Sequence, residues 1–213
     1  MTVSSVKTGY DGISLLVGNA AYIPVVTGLF GGGYTGSNSN TIDYITIATT
    51  GNAIDFGDLT VSRTYIASCA SSVRGVWAGG FDPNYNTIDY VTIATTGNAT
   101  DFGDLVNAIR TQSGCSSATR GLFGAGYIMN TIDYITIATT GNATDFGDST
   151  SSRYGNGSCS SPTRGVWAGG TAGGQSNIID YVTIDTTGNA TDFGDLTVAR
   201  TDVAGCSNGH GGL

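Results

Sequence analysis

The chain has 213 residues and a formal net charge of −8, with 16 acidic side chains against eight lysines and arginines. This balance disfavours binding to a nucleic-acid backbone, which requires clustered cationic side chains. The sequence holds 34 glycines but three prolines, so it is not collagen-like. No apolar run is long enough to span a bilayer. We therefore expect no nucleic-acid partner and no membrane insertion.

Residues 1–26 differ from the rest of the chain because they contain no repeat. The stretch Asp11–Tyr22 is apolar, with Asn and Gly as turn signals. It predicts an N-terminal arm or docking segment. Met1–Lys7 lacks the basic-then-apolar layout of a secretory signal. We expect the protein to act where it is made or to leave the cell inside a released particle.

From residue 27 onwards, one unit recurs four times. Its Ile-Asp-Tyr motif places Asp43, Asp89, Asp133 and Asp180 at successive steps of 46, 44 and 47 residues. A period in this range is typical of repeat architectures in which each repeat is one supersecondary unit. Residues 27–213 are therefore predicted to form one continuous repeat domain.

Each repeat divides into four short strands, here called a, b, c and d. In the second copy these are Thr64–Ala70, Gly75–Gly79, Thr87–Ala94 and about Thr100–Leu105. They are rich in β-branched and aromatic residues, and strand c is apolar on both faces, as in a strand between two neighbouring sheets. Four antiparallel strands repeated in this way are typical of a β-propeller blade. The predicted fold is an all-β propeller of four blades.

The a strands and the b–c–d sets are out of step along the chain: the first b–c–d set has no strand a before it, and the last is followed by one. The b–c–d sets cover 27–59, 74–105, 120–149 and 164–196, and a cysteine-bearing strand a follows each of them. The last such strand, within 197–213, is predicted to pair beside Gly28–Gly33 and close the ring, which removes an exposed edge. The alternative is that it completes a blade of a neighbouring molecule, giving a larger ring or an open chain of subunits.

The repeat also resembles a known family. The residues that carry the resemblance are Arg63, Cys69, Gly79-Gly80, Asp89-Tyr90, Gly97-Asn98 and Phe102. Together they resemble the kelch repeat, with Phe where kelch usually has Trp. The resemblance implies a kelch-like β-propeller.

A second resemblance concerns the near-identical copies of Ile-Ala-Thr-Thr-Gly-Asn-Ala-Thr-Asp-Phe-Gly-Asp-Leu, the opening Val-Lys-Thr-Gly-Tyr-Asp-Gly and the closing Cys-Ser-Asn-Gly-His-Gly-Gly-Leu. They resemble virion structural and tail-fibre proteins of tailed phages that infect marine cyanobacteria. This implies a non-enzymatic component of the tail, fibre, neck or capsid, made in the host cytoplasm and carried in the extracellular particle. Residues 1–26 would dock it onto other virion proteins, and a homo-oligomer is a further expectation.

All length variation between repeats lies in the loop between strands b and c, and scaffolds often place binding residues in such loops. Exposed aromatic rings beside short amides suit a sugar or a protein partner. The alternative function is therefore a lectin-like module that recognises host-surface glycans, and drift of unconstrained loops stays an open alternative. The candidate ligand-binding residues are Tyr34, Phe81, Tyr85, Tyr127, Met129 and Gln175, with Ile128 beside them.

We predict no enzymatic activity, no cofactor and no metal site. The triplet Asp-Phe-Gly recurs at Asp55, Asp101, Asp145 and Asp192 without the catalytic loop or strand lysine of a kinase. We interpret it as a blade-edge turn whose following aspartate, such as Asp58, is available to pair with an arginine. Calcium at these acids is the less favoured alternative.

Seven residues are predicted to have a structural role. The cysteines lack the short paired spacing of zinc sites and lie in different repeats, so free, buried thiols are expected. The arginines open strand b of the last three repeats. These residues are Cys69, Cys115, Cys159, Cys206, Arg74, Arg120 and Arg164.

Overall fold

The computed structural model describes residues 8–9, 12–13, 26–110 and 112–208, and this part of the chain consists of β-strands and loops. No helix within it is long and apolar enough to cross a membrane. The predicted arm at 1–26 lies outside the described residues, except for Val26 and a short antiparallel pairing of β1 (Thr8–Gly9) with β2 (Gly12–Ile13).

The remaining strands form four antiparallel sheets that follow one another along the chain. The first sheet has three strands: β3 (Thr27–Gly31), β4 (Thr41–Thr46) and β5 (Ile54–Asp58). The second has four: β6 (Ala67–Ala70), β7 (Arg74–Ala78), β8 (Thr87–Thr92) and β9 (Thr100–Asp104). The third contains β10 (Ser113–Ser116), β11 (Arg120–Gly124), β12 (Thr131–Thr136) and β13 (Thr144–Asp148). The fourth contains β14 (Gly157–Ser160), β15 (Arg164–Ala168), β16 (Ile178–Thr183) and β17 (Thr191–Asp195).

This arrangement confirms the all-β prediction and the antiparallel order of strands a to d within a unit. The strands are slightly shorter than predicted: strand a of the second unit begins at Ala67 rather than Thr64. Each c–d pairing carries a register shift at the aspartate of Ile-Asp-Tyr, as between Ile88 and Asp89. Such a bulge bends the strand and can re-aim a side chain, and here the aspartate is turned into the space between two sheets.

Successive sheets pack face to face through three apolar clusters. Between the second and third sheets, Val76, Ile88 and Phe102 meet Phe123 and Ile137, all at most 3% exposed. Most of these positions recur at the other two junctions. An internal sheet therefore buries both faces, as its strand pattern predicts.

Neighbouring sheets also touch along both edges. At the edge formed by the a strands, Ser116 Oγ donates to the Ala70 carbonyl over 2.9 Å, and Ser160 Oγ donates to Ser116 in the same way. At the opposite edge, the Gly97 amide donates to the Phe56 carbonyl over 2.7 Å. The four sheets therefore form a close, propeller-like succession, which we call the sheet stack.

The structure does not show the stack closing into a ring. Residues 203–207 follow the fourth sheet and lie beside β14, where Ser207 Oγ donates to the Ser160 carbonyl over 2.6 Å. Among the described residues, no hydrogen bond joins this segment to β3, and the first sheet remains three-stranded. No described strand packs against one face of the first sheet or against one face of the last sheet.

Buried ion pairs join the sheets at two of the three junctions. The Arg63 guanidinium, in the connection before the second sheet, lies 2.7 Å from the Asp89 carboxylate, and both side chains are fully buried. Thr60 Oγ1 donates to the same carboxylate over 2.6 Å. Arg153 and Asp180 repeat the pair at 2.8 Å before the fourth sheet. The arginines therefore pair with the aspartate of strand c. The sequence had instead suggested Asp58 and its equivalents as the partners.

The junction between the second and third sheets lacks this pair. Ile109 stands where the other connections have Arg63 and Arg153, four residues after the last residue of the preceding unit. Asp133 accepts a hydrogen bond from the Val106 amide, but its second oxygen is buried without a partner. Burial raises the pKa of Asp133 to about 6, and the Val106 amide opposes the shift.

We predict that Asp133→Asn stabilises the protein at neutral pH. A carboxyl whose folded pKa lies above its unfolded value of about 4 stabilises the fold below that value and loses this contribution as pH rises to about 6. The free energy of unfolding should rise by about 1 kcal/mol at pH 7.5, since solvent screens part of the shift, and not at pH 4. Urea titrations at both pH values measure it. The exposed Asp101→Asn variant, as control, should show no such pH dependence.

We also predict that Arg63→Ile is strongly destabilising, because it leaves Asp89 charged, buried and unpaired. The expected loss in unfolding free energy at pH 7.5 is about 3 to 5 kcal/mol. The double variant Arg63→Ile/Asp89→Asn should be closer to wild type than the single variant. A single variant equal to wild type in urea titration at pH 7.5 would contradict the assignment.

Candidate functional site

The b–c loops and the connections between sheets meet on one side of the stack. The Gly33 amide donates to the Arg63 carbonyl over 3.0 Å, and the Gly80 amide donates to the Ile109 carbonyl over 2.8 Å. These bonds fix each b–c loop to the connection that follows its own sheet. One continuous loop surface results.

A groove of about 440 Å³ lies on this surface, between the loops of the first and second sheets. The rings of Tyr34 and Tyr65 are 69% and 60% exposed. Asn38 Nδ2 donates to the Phe81 carbonyl over 3.0 Å and so holds the two loops together. We call this site the loop groove; its lining is Tyr34, Ser37, Asn38, Thr64, Tyr65, Phe81 and Asp82.

Tyr65 adopts a backbone conformation that is costly for its residue type. Its φ angle is 53°, in the left-handed region that bulky residues rarely occupy. Two of the three later connections have Gly155 (φ 67°) and Asp202 (φ 55°) at this position, and both residue types tolerate it better. Strain of this kind tends to collect at functional sites. The exposed Tyr65 ring is therefore held in the groove by a strained backbone conformation.

A row of stacked side chains continues from the groove across the second, third and fourth units. The Arg110 guanidinium lies over Phe81, 4.1 Å from the ring centroid, and over Tyr127, at 4.4 Å. Tyr127 contacts Tyr154 with centroids 5.0 Å apart, and Tyr65 approaches Phe81 at 6.4 Å. We call these five residues the aromatic row. A cation between two rings combines a charged donor with flat apolar surfaces.

The predicted ligand-binding residues are not all brought together. Tyr34 and Phe81 line the loop groove, and Tyr127 joins them through the aromatic row. The Tyr85 hydroxyl donates to the Asp82 carbonyl over 3.3 Å, at the edge of the loop. Met129 packs against the apolar cluster between the second and third sheets, whereas Gln175 is exposed on a short hairpin of the fourth unit. Neither of the last two lines the groove.

The arginines at the start of strand b bridge adjacent sheets. The Arg74 guanidinium lies 4.3 Å from the Tyr90 ring centroid and donates to the Ile137 carbonyl of the next sheet over 2.8 Å. Arg120 makes the equivalent contacts with Tyr134 and the Ile184 carbonyl. Arg164 stacks on Tyr181 in the last sheet and is exposed.

All four cysteines are free, but they are not equally buried. Cys115 is buried, and Cys69 and Cys159 are half-buried. Burial raises the pKa of the Cys69 thiol to about 12 and also raises that of Cys115. The expectation of buried thiols is wrong for Cys206, which is exposed because no strand pairs with the segment that carries it.

Sequence reasoning did not select Tyr65, Arg110 or Tyr154, because they lie in the connections rather than in the b–c loops. The signal was present at Tyr65, which stands where two of the three later copies have glycine and aspartate. It was also present at Arg110, one residue beyond the arginine position of the other connections.

In the part of the chain that the structure describes, no group of three or more His, Cys, Asp or Glu side chains is arranged to hold a metal ion. Comparison with protein-family models and with curated proteins gives no match. The resemblances to kelch repeats and to phage virion proteins therefore remain predictions.

We predict that Tyr65→Gly stabilises the fold, because glycine adopts the left-handed conformation without strain. The free energy of unfolding should rise by about 1 kcal/mol. Tyr154→Gly is the matched control: Tyr154 also lies in a connection and belongs to the aromatic row, but its φ angle is not positive. This control should lose stability. Thermal unfolding of both variants measures the difference, and a less stable Tyr65→Gly would contradict the strain argument.

Proposed function

We propose that the protein is a non-enzymatic structural protein of a phage particle, associated with its tail, fibre, neck or capsid. The observation that carries this proposal is the use made of the repeated charged residues. Asp89 and Asp180 are fully buried in ion pairs that join one sheet to the next. Two of the four strand-c aspartates are thus committed to holding near-identical sheets in a fixed succession.

The resemblance of the repeat to virion proteins supplies the location of this role. In this proposal the host cytoplasm makes the chain, the particle carries it outside, and residues 1–26 dock it onto other virion proteins. A kelch-like propeller is the finer form of the proposed fold, with the C-terminal segment pairing with β3 either of its own chain or of a neighbouring one.

Deletion of residues 1–26 tests the docking role. We expect the shortened chain to remain a folded β protein by circular dichroism and to be missing from purified particles in quantitative mass spectrometry. The exposed-loop variant Asp82→Arg serves as a control that should be incorporated normally. Unchanged incorporation of the deletion variant would contradict the docking role, and absence of the intact chain from particles would contradict the proposed location.

A second candidate function is recognition of host-surface glycans, and the loop groove favours it. Two exposed tyrosine rings flank the amide of Asn38 and the hydroxyls of Ser37 and Thr64. Flat aromatic surfaces cover the apolar face of a sugar, and short polar side chains meet its hydroxyl groups. The aromatic row would extend the site along a longer saccharide.

Tyr34→Ala and Tyr65→Gly should weaken glycan binding at least about tenfold without loss of the fold, since each removes a ring from the groove. A glycan array followed by calorimetry measures this. Ile128→Ala is the control, because Ile128 is 71% exposed on a b–c loop outside the groove. An array without any binding would contradict this candidate and leave the structural role unaffected.

A further inference from the structure

The first sheet exposes a face that every other sheet buries. We call the face that packs on the preceding sheet the leading face. On the leading face of the first sheet Phe30 is 59% exposed, whereas its counterparts Trp77, Phe123 and Trp167 are at most 4% exposed. Ile47 on the same face is also exposed, although its counterparts at Ile137 and Ile184 are buried. The residue types of a junction are therefore present without the sheet that would cover them.

The fourth sheet exposes the complementary face, which we call the trailing face. Phe193 of β17 is 55% exposed there, against at most 3% for its counterparts Phe56, Phe102 and Phe146. In each internal junction this phenylalanine packs against the next sheet, and its carbonyl accepts a hydrogen bond from that sheet's c–d turn, as Phe146 accepts from Gly188 over 2.7 Å. The first sheet has the same Thr-Thr-Gly-Asn sequence in its c–d turn, at Gly51.

The two outer sheets also carry the polar groups that form an ion pair at an internal junction: the arginine lies at one end of the stack and the aspartate at the other. Arg200 is exposed, although its counterparts Arg63 and Arg153 are fully buried against aspartates of the following sheet. The corresponding aspartate of the first sheet is Asp43, and no described side chain forms a hydrogen bond or ion pair with its carboxylate. Thr197 likewise repeats Thr60, which donates to Asp89.

The C-terminal segment occupies the place of a strand a that belongs to a fifth sheet. Ser207 Oγ bonds the Ser160 carbonyl as Ser160 Oγ bonds Ser116, so 203–207 extends the row of a strands by one. The Arg200 amide donates to the Ser176 carbonyl in the loop of the fourth unit, and the Arg200 carbonyl accepts from the Gly170 amide. Two internal connections make the same two bonds. A fifth sheet would need strands b, c and d, and the first sheet has these three and no strand a.

We propose that a second copy of the chain covers the trailing face, so that copies associate head to tail. Residues 203–207 of one copy pair with β3 of the next and complete its first sheet. Arg200 of the first copy pairs with Asp43 of the next, and Phe193 and Phe30 become buried. Each contact repeats one that an internal junction already makes, so the interface continues the established one.

The geometry of the junctions favours a second copy over closure within one chain. A ring of four sheets needs a large rotation between neighbours, which separates their outer edges. Here both edges of adjacent sheets are hydrogen-bonded, by Ser116 to Ala70 and by Gly97 to Phe56. The uncovered faces of the first and fourth sheets carry exposed phenylalanines, at positions where a face that packs on another sheet carries a buried aromatic ring. Head-to-tail contacts that do not close extend into a filament. This inference holds for any location of the protein.

A disulfide provides the sharpest test. Cys115 faces Leu122 and Cys159 faces Val166 in the antiparallel pairings, so Cys206 should face Leu29 of the next copy. Paired residues of adjacent antiparallel strands are close enough for a disulfide. In the Leu29→Cys variant, oxidised glutathione should link the two thiols with release of reduced glutathione. Denaturing, non-reducing electrophoresis should then show multiples of the 21.6 kDa chain.

The control is Leu29→Cys combined with Cys206→Ser, which should remain at the chain mass in that gel. A disulfide that joins the introduced thiol to Cys206 within single chains would overturn the proposal in favour of ring closure. Absence of any disulfide at the introduced thiol in protein concentrated above the association range would also overturn it.

Charge reversal tests the same interface without a new cysteine. Wild-type native mass should increase with concentration, and Arg200→Asp or Asp43→Arg should each weaken association at least about 100-fold. An equimolar mixture of the two variants should associate again, since each of its alternating contacts joins opposite charges. Asp101→Arg is the control, because Asp101 is exposed and lies outside the loop groove, and it should behave as wild type. A wild-type chain at 21.6 kDa at every concentration, or reversals without effect, would overturn the proposal.

Discussion

No sheet of this protein can be stable alone, because each one carries apolar side chains on both faces. Ile88 and Phe102 point toward the following sheet, and Val91 points toward the preceding one. Each sheet is therefore stabilised by its two neighbours, and stability is distributed as a sum over junctions, as in other repeat proteins. The inner sheets have both neighbours and the outer two have one each. This single constraint explains the close stacking, the small residues at the contact edges and the exposed phenylalanines at both ends.

The buried Arg–Asp pairs set how the sheets are placed on one another. Burying two charges costs desolvation energy that their attraction offsets only in good geometry, so such pairs are weak evidence for stability. The third sheet shows that stacking does not require them, because Ile109 fills the arginine position with apolar surface. In that connection the arginine is displaced by one residue to Arg110, which leaves the junction and lies between the rings of Phe81 and Tyr127. One residue of displacement thus removes an ion pair from the interior and adds a cation to the loop surface.

The repeat allowed the strands to be predicted closely, because copies with the same residues must adopt the same pairing. It also located the loop surface, since length varies only between strands b and c. Closure was not predictable in this way, because a period counts the units but does not give the rotation between them. The Arg63–Asp89 pair was hidden because every unit offers several aspartates at regular spacing, and the bulge that turns Asp89 inward is a property of the backbone. Tyr65 could have been found by comparing it with Gly155 and Asp202, which occupy the same repeat position.

Because the repeats are nearly identical, the outer faces of the first and last sheets carry the same residue types as the faces buried inside the stack. When every junction uses the same contacts, the first leading face and the last trailing face are complementary by construction, so the same contacts can form between two copies. The one-strand displacement of this chain adds a backbone component, because the surplus strand a after the fourth unit matches the strand missing from the first. Association of this kind would align the loop grooves of successive copies along one side. A ligand with repeating units could then bind several grooves at once, so that weak individual sites would act together through effective concentration.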